Sequence, residues 1–396
     1  MKKDTVKQII TLAVSLILVF AGYHYVLGGG TVFKGTAQGD TIKARVIRIT
    51  DEKTNNITGD AQFTQVTFNA QVLTGSMRGK TVEVIQEIDG TYAFSPRKVE
   101  QNDKILIESA SDESGTVRYY FGDYYRVAPL IVLGVIFCAL VMLFSKSQGF
   151  KTIVSLGVTC LAVFCVLIPA VLSDKNIYLW SIIICVFITA VTLSLVSGFN
   201  KKSACALLGC LSGVACAGVI TLITNLFLNM TGLLEEESIY LYRLYPDNPI
   251  DMKAILFAMI IVGALGAVMD VAMSISSSLW ELRQKSPSIT RGELMKSGFR
   301  IGGDMMGTMA NTLVLAYIGS NLTCVLLLIS YNANIHQVVN REIIVFEILQ
   351  ALAGSLGMLL ALPLTSFICA MAYYGKEKVK TDAALKNEPS AHKGEE

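Results

Sequence analysis

The chain is poor in charge, in histidine and in paired cysteine, and each shortage closes off a class of function. Only 16% of its 396 residues are Asp, Glu, Lys or Arg, against roughly a quarter in soluble domains. The hydrophobic fraction is 53% and the mean hydropathy +0.53, so a polytopic membrane protein is expected. The net charge of +2 is spread over short segments, and no basic stripe offers itself to nucleic acid. Three histidines, His24, His336 and His392, lie far apart, and no C-x-x-C occurs among the nine cysteines. No metal or cofactor site is expected from such spacing. None of the cysteines falls between Gly28 and Arg126, so that segment should hold no disulfide. All nine lie in apolar runs, where cysteine serves as a small apolar filler. A Walker A loop and a Ser-His-Asp set are also missing, which leaves an ATP-driven pump or an ordinary hydrolase without support. The chain is read as not an enzyme.

What is present divides the chain into segments. Lys2, Lys3 and Lys7 precede an apolar run over 8–27, close to the ~20 residues a crossing needs and with no A-x-A site after it. An uncleaved anchor over 1–28 is expected. Residues 29–126 then become polar and alternate with a period of two. The runs T-V-F-K-G-T-A, T-I-K-A-R-V-I-R-I, T-Q-V-T-F-N-A-Q-V, K-T-V-E-V-I, K-I-L-I-E-S and T-V-R-Y-Y-F are rich in Val, Ile, Thr and Tyr. Gly, Asn and Asp separate them, as in strands joined by turns. About six strands predict a small barrel or sandwich. The stretch V-L-T-G-S-M-R-G-K-T-V over 72–82 resembles the turn of an OB-like barrel. Arg45, Arg48, Arg78 and Lys80 are expected on its solvated surface.

From Val127 the sequence turns apolar again, with candidate spans at 127–144, 152–172, 177–198, 203–228, 254–282, 302–331 and 343–374. With the first helix this predicts about eight crossings. The expected fold is therefore an α-helical polytopic membrane protein with an inserted extracytoplasmic β-barrel (OB-like) domain. The membrane domain would cover 127–375, and a charged tail over 376–396 would be disordered and cytoplasmic. Seventeen Lys and Arg fall on the side of the two termini, four in the short loops opposite, and twelve in the long β segment. That bias predicts a cell-membrane protein with both termini cytoplasmic and the β domain outside. Gly319-Ser320-Asn321 and Pro363 interrupt the last two spans, where tilt or a break is expected. The loop over 231–252 carries Glu235, Glu236 and Glu237 beside several tyrosines. It reads either as an interfacial turn or as a mouth that collects cations.

Two of the apolar segments carry an aspartate. Asp270 is followed by Ser274 and Ser277 at i+4 and i+7, and Asp304 by Thr308 and Asn311 at the same spacing. Each set shares one helix face. An ionisable group at membrane depth is costly and commonly marks a functional site. Two such helices placed face to face would form a polar seam. The segments also align without gaps, D-V-A-M-S-I-S-S-S-L on D-M-M-G-T-M-A-N-T-L, as an inverted pair would.

The stretches G-A-V-M-D-V-A-M-S-I-S-S-S-L-W-E-L and G-G-D-M-M-G-T-M-A-N-T-L-V-L-A-Y-I-G-S-N-L, with F-G-D-Y-Y-R-V-A-P-L over 121–130, resemble the YibE/F family of bacterial integral membrane proteins. The likeness runs over about 30–375. It implies a multi-pass architecture and little chemistry, because that family has no established biochemical activity.

The seam reads as a proton- or cation-coupled site in a transporter or permease. Small and hydroxyl residues at this spacing also serve ordinary helix packing, and Asp304 four residues after Arg300 reads equally as an ion pair. Glu347 with Gln350 in the last span is a further candidate. A second reading is an envelope assembly or sensor protein acting through the β domain. A remote third is an intramembrane aspartyl protease, from whose Y-D, G-x-G-D and P-A-L motifs this sequence departs at Met269, at Ile301 and at Ala361-Leu362-Pro363. Expected partners are membrane lipid and an unidentified small ion or solute. A homo- or hetero-oligomeric membrane partner is left open, and nucleic acid is not expected.

Overall fold

The computed structural model describes residues 2–28, 41–56, 62–89, 97–111, 117–245, 249–331 and 334–374. The chain forms two compact units, one of residues 33–143 and one of 1–32 with 144–396. The expected strand over 31–37 lies outside the described residues, as does the tail over 376–396.

The first unit is built on strands β1 (Ile42–Asn56), β2 (Gln62–Val72), β3 (Thr81–Asp89), β4 (Lys104–Ser111) and β5 (Val117–Tyr124). They close into a barrel in the order β1-β2-β3-β5-β4. Every pairing is antiparallel except the β3–β5 pair, which aligns Val84 with Tyr119. This is a small five-stranded barrel. Alternation fixes the register. Ala44, Val46, Val66, Phe68, Ala70, Val72, Val84, Ile105 and Ile107 all point inward and are buried, while Arg45, Arg48, Arg78 and Lys80 are exposed. Register shifts near Val46 and Ile49 let the fifteen-residue β1 bend round the barrel. Gln86, fully buried, accepts from Val99 N and donates to Arg97 O, both at 3.0 Å.

The second unit is helical. In chain order the helices are α1 (Lys2–Leu27), α2 (Val127–Ala162), a π turn (Val163–Leu167), α3 (Ile168–Leu172), α4 (Ile177–Ser197), α5 (Lys201–Leu228), α6 (Glu236–Leu244), α7 (Met252–Lys285), α8 (Arg291–Ser320), α9 (Leu322–Tyr331), α10 (Ile335–Val339) and α11 (Glu342–Tyr374). The first half of α2, up to Leu143, belongs to the barrel's unit. Starts are set by side-chain caps. Asn176, Asn200 and Asp251 accept from Leu179, Ser203 and Ala254 N, and Thr290 with Glu293 forms a capping box.

Six helices among the described residues are long and apolar enough to cross a membrane, or seven if α8 and α9, bent by 61°, form one span. The bend falls at Asn321, where the sequence anticipated a break. Pro363, by contrast, lies inside α11, which runs unbroken from Glu342 to Tyr374. The spans expected at 127–144 and 152–172 form a single helical run, Val127–Leu172, interrupted at Lys146, whose φ of 46° is not helical.

Packing in the helical unit depends on glycine. A methyl built on Gly213 of α5 would lie 2.6 Å from Ala361 Cβ and 2.9 Å from Gly357 O of α11. One on Gly209 would collide with Thr365 Oγ1. Close approach of small residues is how helices associate where lipid removes the hydrophobic drive between them. The contacts Gly209–Thr365 and Gly213–Ala361 make α5 and α11 antiparallel. At the far end of α11, Glu342 accepts from Thr231 N and Gly232 N, both at 2.6 Å, and from Thr231 Oγ1 at 2.8 Å. That clamp ties the loop after α5 to the start of α11.

Candidate functional site

The helices α7 and α8 form an antiparallel hairpin through glycine. A methyl on Gly298 would lie 3.1 Å from Leu279 Cδ1, and one on Gly302 would lie 3.2 Å from Ile275 Cδ1. Each step of four along α8 thus retreats four along α7. Five residues back from Ile275 is Asp270, and five on from Gly302 is Gly307, so those two stand level. Asp304 is level with Met273 instead.

Rotation about the helix axis separates the two polar stripes. Asp304 follows Gly302 by two residues, about 200° round the helix. Gly302 is buried against Leu362 and Ile275, whereas Arg300, Asp304, Thr308 and Asn311 are exposed. Thr308 Oγ1 donates to Met305 O and Thr312 Oγ1 to Thr308 O, both at 2.9 Å within the helix. Among the described residues no ion pair joins Arg300 to Asp304. The expected face-to-face seam is therefore not the surface on which α7 and α8 pack. Gly298 and Gly302 permit the closest approach, and they lie on the opposite side of α8.

On α7, Gly263, Gly266, Asp270, Ser274 and Ser277 follow one another by three, four, four and three residues, so they make one stripe. Asp270 and the two glycines are exposed, and the two serines are half-buried. No residue of the described chain hydrogen-bonds to the Asp270 side chain.

The structure does assemble a polar cluster where that stripe reaches Gly263. Asn321, at the bend between α8 and α9, donates from Nδ2 to Glu347 Oε1 of α11 at 2.6 Å. Glu347 Oε2 is buried and has no hydrogen-bond partner, and Tyr317 Oη, one turn before the bend, is buried against Gly263 with the Gln350 amide close by. Gln350, three residues after Glu347, is only 8% exposed. A methyl built on Gly263 would lie 2.9 Å from Tyr317 Oη and 3.2 Å from Gln350 Nε2. A phenol from α8 and an amide from α11 thus meet at Gly263 of α7, while the Glu347 carboxylate of α11 is held at the bend by Asn321. Glu347 and Gln350 were foreseen as secondary candidates. Tyr317, Asn321 and Gly263 were not assigned roles, although the Gly319-Ser320-Asn321 interruption was the available signal.

Such an arrangement gathers a phenol, an amide and, at the neighbouring bend, a carboxylate with one oxygen unbonded in an apolar body. Buried polar atoms are normally satisfied, and those without a protein partner call for a water, an ion, a ligand or a proton. Among the described residues no three His, Cys, Asp or Glu side chains come together.

A family model described as YibE/F-like protein matches residues 133–375, more than half of the chain and all of α3 to α11. No curated protein and no solved structure is matched.

Proposed function

The chain belongs to the YibE/F-like family, and we propose that it is a cell-membrane protein that moves a proton or a small cation across the bilayer. The observation that carries this reading is Glu347, a carboxylate in an apolar helix with one oxygen held by Asn321 at a helix break and the other unpartnered. Broken helices in membranes expose backbone where it lines an ion or substrate site, and carboxylates beside them mark coupling sites. The stripe of α7 leads from this point past Gly266 to Asp270, seven residues or roughly 10 Å further along the helix. Asp270, Ser274 and Ser277 would then carry the ion toward the other membrane face. Asp304, Thr308 and Asn311 form a separate polar face on α8, proposed as part of the same pathway's lining or of a contact with a membrane partner.

The proposed topology has eight crossings. The run Val127–Leu172 is 46 residues, roughly 69 Å of helix against a hydrocarbon core of about 30 Å. Splitting it at Lys146 gives two spans, and counting α8 with α9 as one gives eight in all. Lys146 and Lys151 then lie inside with both termini, and the barrel outside.

The test is complementation of a deletion strain, with growth scored across cations and pH. Glu347→Gln and Asp270→Asn keep side-chain shape but cannot exchange a proton. Both should reach wild-type abundance in the membrane and lose complementation. Full complementation by Glu347→Gln at native expression would end the transport reading and favour an assembly or sensing role for the barrel.

A further inference from the structure

We propose that the outward face of α8 is a dimer interface, and that its occupant is the same face of a second copy of this chain. The inference goes beyond the transport reading, which stands whether or not this face has a partner. Gly298 and Gly302 hold one side of α8 against Leu279, Ile275 and Leu362 of its own chain. On the opposite side Arg300, Gly303, Asp304, Gly307, Thr308 and Asn311 are all exposed. Asp304, Gly307 and Asn311 follow Arg300 by four, seven and eleven residues, the spacing of a seam along which two helices pack. Neither Arg300 nor Asp304 has an ion pair among the described residues. With α9, α8 counts as one apolar span. A carboxylate, a hydroxyl and an amide turned to lipid on such a span are costly, and groups of this kind face protein or water instead.

Three features select a second copy as the occupant. Around a two-fold axis along the membrane normal the two α8 helices run parallel. Arg300 of one copy then lies one turn from Asp304 of the other, roughly 6 Å along the axis. An arginine side chain reaches that far, so the face is complementary in charge to itself and makes the pair twice. Asn311 stands level with its own counterpart, and an amide both donates and accepts, so two copies satisfy each other. Gly303 and Gly307 form a G-x-x-x-G step, which lets two helix backbones approach closely in a membrane. A methyl on either meets nothing within 4 Å in its own chain. Packing inside the chain therefore makes no use of these glycines, although each costs about 1 kcal/mol in a helix relative to alanine.

The experiment is the oligomeric state of the full-length protein, read by light scattering and native mass spectrometry in mild detergent. Wild type should be a dimer. Gly307→Leu, whose new side chain starts in open space within its own chain, should keep wild-type abundance in the membrane and weaken the dimer about tenfold or more. Charge exchange is the second arm. Arg300→Asp leaves two acids on the face, and Asp304→Arg leaves two bases. Each variant should be monomeric alone, and the two, co-expressed with different affinity tags, should co-purify as a mixed dimer. In native membranes, on a background without the nine native cysteines, Asn311→Cys should be joined into a dimer by a short bis-maleimide. Leu161→Cys, exposed on α2, should not. A monomeric wild type overturns the proposal, as do dimers unchanged in both Gly307→Leu and Asp304→Arg, or equal cross-linking at positions 311 and 161.

Discussion

Asn321 and Glu347 meet across the bend between α8 and α9, the amide of one donating to a carboxylate oxygen of the other at 2.6 Å. The carboxylate therefore both holds the break and is oriented by it. Removing either partner should disturb the other. Asn321→Ala is expected to lower thermal stability in detergent by about 0.6 kcal/mol, a common value for one hydrogen bond inside a membrane protein. Combined with Glu347→Gln, the loss should be less than the sum of the two single losses. Strict additivity in that double-mutant cycle would show that the contact does not couple the two residues.

Gly213 and Gly357 bring α5 and α11 close enough that a side chain on either would collide with backbone. A methyl on Gly213 would lie 2.8 Å from Val268 Cγ1 as well as against α11. Gly213→Val should destabilise the helical unit by about 1–3 kcal/mol or more, the usual cost of overpacking. Gly157→Ala, where nothing lies within 4 Å of the added methyl, should be neutral or slightly stabilising. Tryptophan-fluorescence melts of the two variants separate these outcomes, and equal melting points would contradict the packing described.

The barrel should fold by itself. Residues 31–125, which contain no cysteine, are expected to give a β-rich circular dichroism spectrum under reducing conditions. Within it, Gln86→Leu should cost about 1–3 kcal/mol in urea unfolding despite the more apolar side chain. The change strands Arg97 O and Val99 N, which Gln86 now satisfies. A Leu variant as stable as wild type would mean those groups find water.

Alkaline pH should weaken the same segment through Tyr124. Its hydroxyl donates to Arg97 O, and burial, with Asp103 nearby, pushes the phenol above the ordinary tyrosine range. A group whose folded pKa is raised contributes fully below the unfolded value of about 10 and loses that contribution as pH rises through the folded one. Tyr124→Phe should therefore flatten the alkaline limb of the pH–stability curve. In the full-length protein, which retains Arg126, Asp123 acts in the opposite sense. Hydrogen bonds from the Arg126 side chain and from Tyr124 N hold it below the usual carboxylate range, so its share is present above about pH 4 and lost on acidification. It is exposed, and screening keeps that share small.

Orientation can be read by thiol labelling on a background without the nine native cysteines. Lys53→Cys in the barrel should react with an impermeant maleimide in intact cells, and Ser288→Cys between α7 and α8 should react only after lysis. Labelling of position 288 from outside would overturn the eight-crossing topology.

Local pattern was enough to determine much of this protein. Apolar length marked the long helices, a period of two marked all five strands of the barrel, and Gly319-Ser320-Asn321 marked the bend, because hydropathy, alternation and helix-breaking residues act on near neighbours. The positions of Glu347 and Gln350 on one helix face were legible for the same reason. The rotation of each helix about its own axis was not. On α8, Gly298 and Gly302 make one face small while Asp304, Thr308 and Asn311 make another face polar, and spacing alone ranks neither as the contact. Tertiary packing chose the glycines, since only a missing Cβ lets Leu362 and Ile275 approach Gly302 so closely. That choice turned Asp304 outward and brought Tyr317 to Gly263. Glu347 and Asn321 were brought together in the same way, by the bend and by the approach of α11, contacts between residues 26 positions apart that no local pattern specifies.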